Sequence, residues 1–171
     1  MKRICILRHA KAGKGHKKIL DDHDRPLTSK GLEASKALAT YIDNSDFTPD
    51  LIICSTSKRT RKTSEIVFKS FFPDTDIIYS SKLYLAKESD LYEIIKETSD
   101  SVNNLVVVGH NPGLHEFCSM LVSDGDKTQI RQLREHFSPG AMAIFKLSIK
   151  HWSDIKRKSG LLTNLIIPKE L

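Results

Sequence analysis

The stretch Ile4-Cys5-Ile6-Leu7-Arg8-His9, near the start of this 171-residue chain, decides how the rest of the sequence is interpreted. Its four apolar residues are typical of a short strand that is buried on both faces, as in parallel sheets. A second run of this kind, Leu105-Val106-Val107-Val108, leads directly into Gly109-His110. Side chains at the carboxyl ends of parallel strands converge on one crevice, where open α/β sheets bind ligands. We therefore expect His9 and His110 to lie at one site.

Strand-like and helix-like segments alternate along the whole chain. Two more apolar runs predict strands, a buried one over Leu51–Cys54 and another over Ile77–Tyr79. Helical spacing of apolar residues predicts four helices: one that begins at Thr28 or Ser29, one that begins at Ser55 or Ser57 and ends near Phe71, one over Leu91–Thr98 and one over Leu114–Leu121.

The C-terminal part of the sequence has a different pattern. The apolar runs Ala141–Ile149 and Leu161–Ile167, joined by a charged stretch, predict a hairpin at the edge of the sheet. The whole pattern predicts an α/β three-layer sandwich with a mainly parallel central sheet, helices on both faces and a C-terminal antiparallel edge hairpin. We expect residues 1–171 to form one domain.

The composition is that of an ordinary globular protein and argues against several classes. Hydrophobic residues make up 39% and charged residues 28% of the chain, and no apolar run approaches the ~20 residues of a membrane span. The formal charge of +6 comes without a recognition-helix motif or zinc-finger spacing, which argues against nucleic acid. A basic surface attracts phosphorylated or acidic partners, although a solvated surface without a partner explains the charge equally well. Cys5, Cys54 and Cys118 are expected to be reduced core residues, which favours the cytoplasm.

The residues near the predicted crevice suit phosphoryl transfer to a histidine. A neutral imidazole, with an unperturbed pKa of ~6.5, is a nucleophile near neutral pH without a separate base. Phosphoryl transfer needs positive charge around the phosphate oxygens. Three arginines can supply this charge, since a planar guanidinium binds two phosphate oxygens at once: Arg8, Arg25 and Arg59. Each residue alone is explained more simply by packing or solvation, so it is their convergence that favours catalysis.

Three motifs resemble those of the histidine phosphatase superfamily. Leu7-Arg8-His9-Ala10 resembles its Arg-His-Gly signature, Ser55-x-x-x-Arg59-x-x-x-Thr63 its arginine-bearing motif, and Gly109-His110-Asn111-Pro112-Gly113 its second-histidine motif. Three further stretches resemble the short SixA-type phosphohistidine phosphatases: Asp22-His23-Asp24-Arg25-Pro26-Leu27, Leu83-Tyr84-Leu85-Ala86 and Asn164–Leu171. Together the motifs cover almost the whole chain in the order of the family.

The resemblance implies both an activity and the residues that perform it. It implies a metal-independent phosphatase without a cofactor, which removes phosphate from a phosphohistidine-bearing protein and binds phosphate or its analogues. The implied roles are phosphorylated nucleophile for His9, phosphate binding for Arg8 and Arg59, donation to the phosphate oxygens for His110, and substrate binding for Arg25 and Asn111.

The chain departs from the family pattern in two places and lacks an evident general acid. Ala10 replaces the glycine of the broader signature, and Ser138-Pro139-Gly140 replaces the Pro-Thr-Gly that is usual in the SixA-type subgroup. Glu88 and Asp90 lie near the expected position of the acid, but they are interpreted more simply as surface carboxylates that start a helix. A phosphoramidate substrate needs such an acid less, because imidazole is a far better leaving group than an alkoxide.

Four other functions have different sequence requirements. A cysteine-nucleophile phosphatase needs five residues between its cysteine and arginine, whereas four separate Cys54 from Arg59. A metallohydrolase would lack a close-set pair of ligands and would have to use His9, His16, His23 and His110 with nearby aspartates. A non-catalytic phospho-ligand binding module would be expected to lack His9 or His110. A small-molecule phosphomonoesterase would use the same catalytic core.

The irregular segment Lys11–Arg25 favours a protein substrate. It is rich in glycine and lysine (Lys11, Lys14, Lys17 and Lys18), so we expect a mobile basic rim that leaves the crevice open. An open rim admits a side chain that is still attached to a folded protein, whereas small metabolites usually need enclosure. The lysines would attract a phosphorylated partner.

Overall fold

The computed structural model describes residues 1–14 and 21–171. Its strands are β1 (Lys2–Arg8), β2 (Leu51–Ser55), β3 (Asp76–Ser80), β4 (Asn104–Gly109), β5 (Val122–Gly125), β6 (Met142–Leu147) and β7 (Gly160–Ile166). Its α-helices are α1 (Ser29–Asp43), α2 (Lys58–Ser64), α3 (Glu88–Lys96), α4 (Gly113–Leu121) and α5 (Lys127–Glu135). A π-helical turn over Glu65–Lys69 continues α2.

The seven strands form one mixed sheet in the order β3-β2-β4-β1-β6-β7-β5. The strands β3, β2, β4 and β1 run parallel to one another, and β6 is antiparallel to β1. Successive side chains of a strand point to opposite faces, and β1 follows this rule. Ile4 and Ile6 belong to an apolar cluster with residues of α3, α4 and α5, whereas Cys5 and Leu7 belong to a cluster with α1 and the π-helical turn. The predicted three-layer sandwich is therefore confirmed.

The predicted C-terminal hairpin is formed by β6 and β7, which pair antiparallel. The sheet continues beyond it by one strand, because the short β5 pairs in parallel with β7 and forms that edge. Neither β5 nor α5 was predicted. The sequence of β5, Val-Ser-Asp-Gly, has no apolar run, and α5 buries Leu133 alone among its nine residues.

Two helix starts are fixed by the expected type of cap. The Thr28 hydroxyl accepts a hydrogen bond from Gly31 N at the start of α1, and the Ser57 hydroxyl accepts one from Thr60 N at the start of α2. Ser55, the other candidate cap for α2, is the last residue of β2 and has a different partner, described below. A Cβ added to Gly113, at the start of α4, would lie 2.0 Å from Ala86 O. Only glycine therefore allows α4 to begin directly against the segment that precedes α3.

Within the described part of the chain, no helix is both long and apolar enough to span a bilayer.

Candidate active site

The two histidines that follow β1 and β4 lie side by side. Arg8 is the register partner of Gly109 in the parallel β1–β4 pair, and His9 N donates to Gly109 O at 3.1 Å. The two strands therefore end at the same level. The ring centroids of His9 and His110 are 5.2 Å apart. The convergence predicted from the two strand ends is observed.

The His9 ring is held through one of its nitrogens by the described part of the chain. Its Nδ1 lies 2.8 Å from Ala10 O, and since a carbonyl only accepts, Nδ1 carries the hydrogen and Nε2 keeps a lone pair. Burial, and then the charges of Arg59 and Arg8, lower the pKa of His9 to about 4, against the opposing effect of the Ala10 carbonyl. His9 is therefore neutral at pH 7 and presents Nε2 as a nucleophilic atom.

His110 is bonded at both ring nitrogens. Nε2 lies 2.8 Å from Ser55 Oγ, and Nδ1 lies 3.3 Å from Arg59 Nη2. Arginine only donates, so Nδ1 accepts in this state and Nε2–H donates to Ser55. Burial, followed by His9 and Arg59, lowers the pKa of His110 to about 3. The edge-on Tyr84 ring, 5.4 Å away between centroids, covers His110.

Arg59, at the start of α2, is nearly completely buried beside the histidines, with 3% of its surface exposed. Thr63, one helical turn later, links this helix to β1, because its hydroxyl donates to Arg59 O at 2.8 Å and accepts from Ala10 N at 3.0 Å. The spacing of Arg59 and Thr63 therefore fixes the first turn of α2 against the residue that follows His9.

Arg8 and Asn111 share a partner below the site. Arg8 Nη1 donates to Phe137 O at 2.9 Å and Asn111 Nδ2 donates to the same oxygen at 2.8 Å. Within the described residues, Arg8 Nε and Asn111 Oδ1 are buried without a hydrogen-bond partner. Behind them Gly140, at a φ of 79°, donates its N–H to His9 O at 3.0 Å. The turn that departs from the subgroup pattern therefore supports the nucleophile through its backbone.

Arg25 lies at the rim of the site rather than against the histidine rings. Its Nη1 is 2.8 Å from Asp22 Oδ1 and its Nε donates to Gly13 O at 2.7 Å. Its charge still contributes to the low pKa of His9. Of the rim lysines, Lys11 and Lys14 are described, whereas Lys17 and Lys18, and with them His16, lie outside the described residues.

Asp22, Tyr84 and Ser55 join the site although sequence reasoning assigned them no role there. Asp22 Oδ2 is 3.0 Å from Arg59 Nη2 and also accepts from the Tyr84 hydroxyl. Tyr84, Arg25 and Arg59 together hold the pKa of Asp22 well below its usual range, so the carboxylate is ionised. The sequence signals that could have identified these residues were the SixA-like stretches around Asp22 and Tyr84, and the position of Ser55 at the end of a strand.

The two acidic residues considered as general acids have structural partners. Glu88, which is buried rather than at the surface, accepts two hydrogen bonds from Arg157, at 3.1 Å and 3.2 Å. Asp90 accepts from Lys87 N at 2.9 Å and caps the start of α3. Asp90 therefore caps this helix, whereas Glu88 connects its first turn to the segment that precedes β7.

The cysteine and metal alternatives find no support in this geometry. Cys54 is buried in β2, and burial raises the pKa of its thiol to about 12, so it is not a thiolate nucleophile. Across residues 1–14 and 21–171, no three His, Cys, Asp or Glu residues are placed to hold a metal ion.

Comparisons with known proteins fit the arrangement. The sequence profile of the histidine phosphatase superfamily (branch 1) matches residues 4–84, which include Arg8, His9 and Arg59. A solved structure assigned as the phosphohistidine phosphatase SixA from Nakamurella multipartitia is 25% identical, with 98% of this chain and 96% of that chain covered and a TM-score of 0.84. Together, the family model over residues 4–84 and this likeness over the whole chain support a member of the histidine phosphatase superfamily.

Further similar proteins match nearly the whole chain. A structure assigned as SixA from Agrobacterium tumefaciens shares the fold, with 24% identity, 98% coverage of both chains and a TM-score of 0.80. An uncharacterised protein of Mycobacterium tuberculosis is 27% identical over 165 residues, which is 95% of this chain and all of the relative. The expected enzyme class, a metal-independent phosphatase with a histidine nucleophile, is confirmed at the level of the family. The roles of individual residues stay predictions.

Proposed function

We propose that this histidine phosphatase removes phosphate from a phosphorylated histidine of a protein, through a phosphohistidine intermediate on His9. The observation that carries the proposal is the state of the carboxylates. Among the described residues, Asp22 is the carboxylate bonded to the arginine–histidine cluster, and two arginines and a tyrosine keep it ionised. Within residues 1–14 and 21–171, the site therefore offers no protonated carboxyl group to an alkoxide leaving group. A phosphoramidate needs less help, because imidazole is a good leaving group.

In the first step, His9 Nε2 attacks phosphorus and the P–N bond of the substrate breaks. The substrate ring, protonated on its second nitrogen, leaves as neutral imidazole. Arg8 and Arg59 would bind the phosphoryl oxygens, on which charge develops in the transition state. In the second step, water attacks the phosphoryl group on His9, the P–Nε2 bond breaks, and inorganic phosphate, a proton and neutral His9 result.

His110 would change partner when phosphate is bound. Its Nδ1 accepts from Arg59 in the present structure, and burial beside cations lowers its pKa. A phosphoryl dianion between the two side chains would favour the protonated ring, because an opposite charge nearby stabilises the charged form. Nδ1 would then donate to a phosphoryl oxygen while Ser55 continues to hold Nε2.

The described part of the rim supports a protein-bound substrate. Asp22 is half-exposed, Arg25 and His23 are partly exposed, and Leu85, directly after Tyr84, exposes 56% of its surface. An open, partly apolar rim suits a side chain presented by a folded domain. We also propose a cytoplasmic location, since the cysteines at 5, 54 and 118 are free and buried, as in a reducing compartment.

The test compares kcat/KM on phosphohistidine-bearing protein domains, sugar phosphates and nucleotides. We expect the protein substrates to be preferred. Quenching in mid-turnover should trap an acid-labile, base-stable phosphate on the wild-type enzyme, and His9→Ala should lose both label and turnover. The matched control is His151→Ala, an exposed histidine paired with Asp100, which should keep full activity.

Each other outcome has a definite meaning. A sugar phosphate or nucleotide as the better substrate would leave a small-molecule phosphomonoesterase on the same core. A label on Cys54 or a serine would overturn the mechanism. Phosphate binding without turnover of any substrate would leave a non-catalytic binding module.

A further inference from the structure

The Arg59 guanidinium is bonded along one edge to a single residue, Asp22. Nη1 donates to the Asp22 backbone oxygen, and Nη2 lies 3.0 Å from the Asp22 carboxylate. Nη2 also lies 3.3 Å from His110 Nδ1. Both hydrogens of Nη2 therefore have partners, one outside and one inside the site.

The shape of a guanidinium gives these contacts a consequence. Its plane has two edges that present parallel N–H groups, an end-on edge formed by Nη1 and Nη2 and a side-on edge formed by Nε and Nη2. Asp22 occupies the end-on edge of Arg59 with two different oxygens. The side-on edge is the one that points its Nη2–H at His110, and so toward the space beside His9. A phosphoryl group placed there would replace His110 Nδ1 as the partner of Nη2.

Asp22 is itself held by side chains that meet at the rim. Oδ1 binds Arg25 at 2.8 Å, and Oδ2 accepts from the Tyr84 hydroxyl as well as from Arg59. The Asp22 side chain is 47% exposed, so its contacts do not serve to fill the core. Two arginines surround one carboxylate, so positive charge remains for a phosphoryl group.

We infer that Asp22 is a positioning residue for phosphoryl transfer: it holds the end-on edge of Arg59, so that the side-on edge meets the phosphoryl oxygens beside His9. The inference rests on the proposed function in one respect, that Arg59 binds the phosphoryl group. The opposite interpretation is that the carboxylate competes with phosphate for Arg59. The backbone contact opposes it, since departure of the Asp22 side chain would leave Nη1 bonded to the Asp22 carbonyl.

The test is a double-mutant cycle between Asp22 and Arg59, read with a small chromogenic phosphate and with inorganic phosphate as a competitive inhibitor. Asp22→Ala should lower kcat/KM about 10- to 100-fold, as expected for the loss of a hydrogen bond to a charged group. Asp22→Asn should lose less, because its amide oxygen can still accept from Nη2. In an Arg59→Lys background, Asp22→Ala should change kcat/KM by less than about threefold, since an ammonium has no edge to orient.

The matched control is Asp24→Ala, which removes the same charge from the 3₁₀ turn Asp22–Asp24 that also contains Asp22. Asp24 Oδ1 lies 3.6 Å from His23 Nδ1, whereas Arg59 is bonded to Asp22. Its activity should stay within about twofold of the wild type. Circular dichroism and thermal unfolding establish that each variant is folded, and if Asp22→Ala is not, the cycle is run with Asp22→Asn.

Two results would overturn the inference. Equal losses from the Asp22 substitution in the wild-type and Arg59→Lys backgrounds would show that Asp22 acts on the turn and not through Arg59. Tighter inhibition by phosphate with undiminished kcat/KM in Asp22→Ala would show an internal competitor. Failure of the proposed function looks different: Arg59→Ala would then keep full activity, or protein phosphohistidine would be a poor substrate while the cycle still shows coupling.

Discussion

The two active-site histidines should make the stability of this enzyme fall as the pH is lowered from 8 to 5. Both have a lowered pKa in the folded protein, about 4 for His9 and about 3 for His110, and both return to about 6.5 on unfolding. Between these values the unfolded chain binds protons that the folded protein does not. The free energy of unfolding therefore decreases as the pH falls through this window.

The size of this loss of stability follows from how far pH 5 lies below the pKa of histidine in the unfolded chain. At pH 5 both folded histidines are still mainly neutral, while pH 5 lies about 1.5 pH units below the unfolded pKa, and each pH unit is worth about 1.4 kcal/mol. Each histidine therefore contributes a loss of about 2 kcal/mol between pH 8 and pH 5, about 4 kcal/mol together. The electrostatic effect of each histidine on the pKa of the other is small at pH 5, because both are mainly neutral in the folded state.

The assay is urea unfolding at pH 8 and pH 5 for the wild type, His9→Gln and His110→Gln. Comparing variants removes the contribution of carboxylates, and each variant should lose about 2 kcal/mol less than the wild type. His151→Gln is the control of opposite sign: Asp100 raises the pKa of His151, so His151 stabilises the fold below its unfolded pKa, and its removal should enlarge the loss. If His9→Gln and the wild type lose the same free energy, His9 titrates normally in the folded state and the geometry derived for it is wrong.

Three further outcomes are expected. Arg59→Ala should lower kcat about 10²- to 10³-fold, by analogy with removal of one oxyanion donor. Arg61→Ala should be nearly neutral, because the Arg61 guanidinium lies 4.3 Å from the centre of the Tyr79 ring. Equal losses in the two variants would contradict the placement of Arg59. Activity should survive dialysis against EDTA, since arginines supply the positive charge, and an enzyme restored only by a divalent metal would revive the metallohydrolase. Turnover of a phosphohistidine protein should slow with salt more than turnover of a small phosphate, because Lys11 and Lys14 attract the partner through a screened field; identical salt dependence would argue against an electrostatic rim.

The central sheet and the paired histidines could be predicted because their signals are local. The apolar run before His9 and the one before His110 each mark a buried strand, and parallel strands bring their carboxyl ends together. The short strand β5 could not be predicted in this way. Its Val122–Gly125 sequence is mostly polar, and it is a strand because β7 offers it an unpaired edge.

The role of Ser55 shows where a local rule gave the wrong partner. A serine before a helix is typical of an N-cap, and Ser57 takes that position. Ser55 lies one residue beyond Cys54, whose register partner in β4 is Val108, so its hydroxyl comes level with the loop that carries His110. The register of β2 against β4 therefore determines the hydrogen-bond partner of Ser55. The contact between Asp22 and Arg59 is harder still to predict, because 37 positions separate the two residues and only tertiary structure brings them together.

The central position of β1 has a consequence for how this enzyme fails under stress. The strand that leads into His9 is hydrogen-bonded to β4 on one side and β6 on the other, and its residues Ile4–Leu7 are fully buried. Amide hydrogens in such a strand exchange with solvent only when the whole domain opens, whereas the turn Asp22–Asp24 buries no residue and can open alone. On heating, activity should therefore fall first through opening of this turn, which releases Arg59 from Asp22, while the nucleophile stays in register until the domain unfolds.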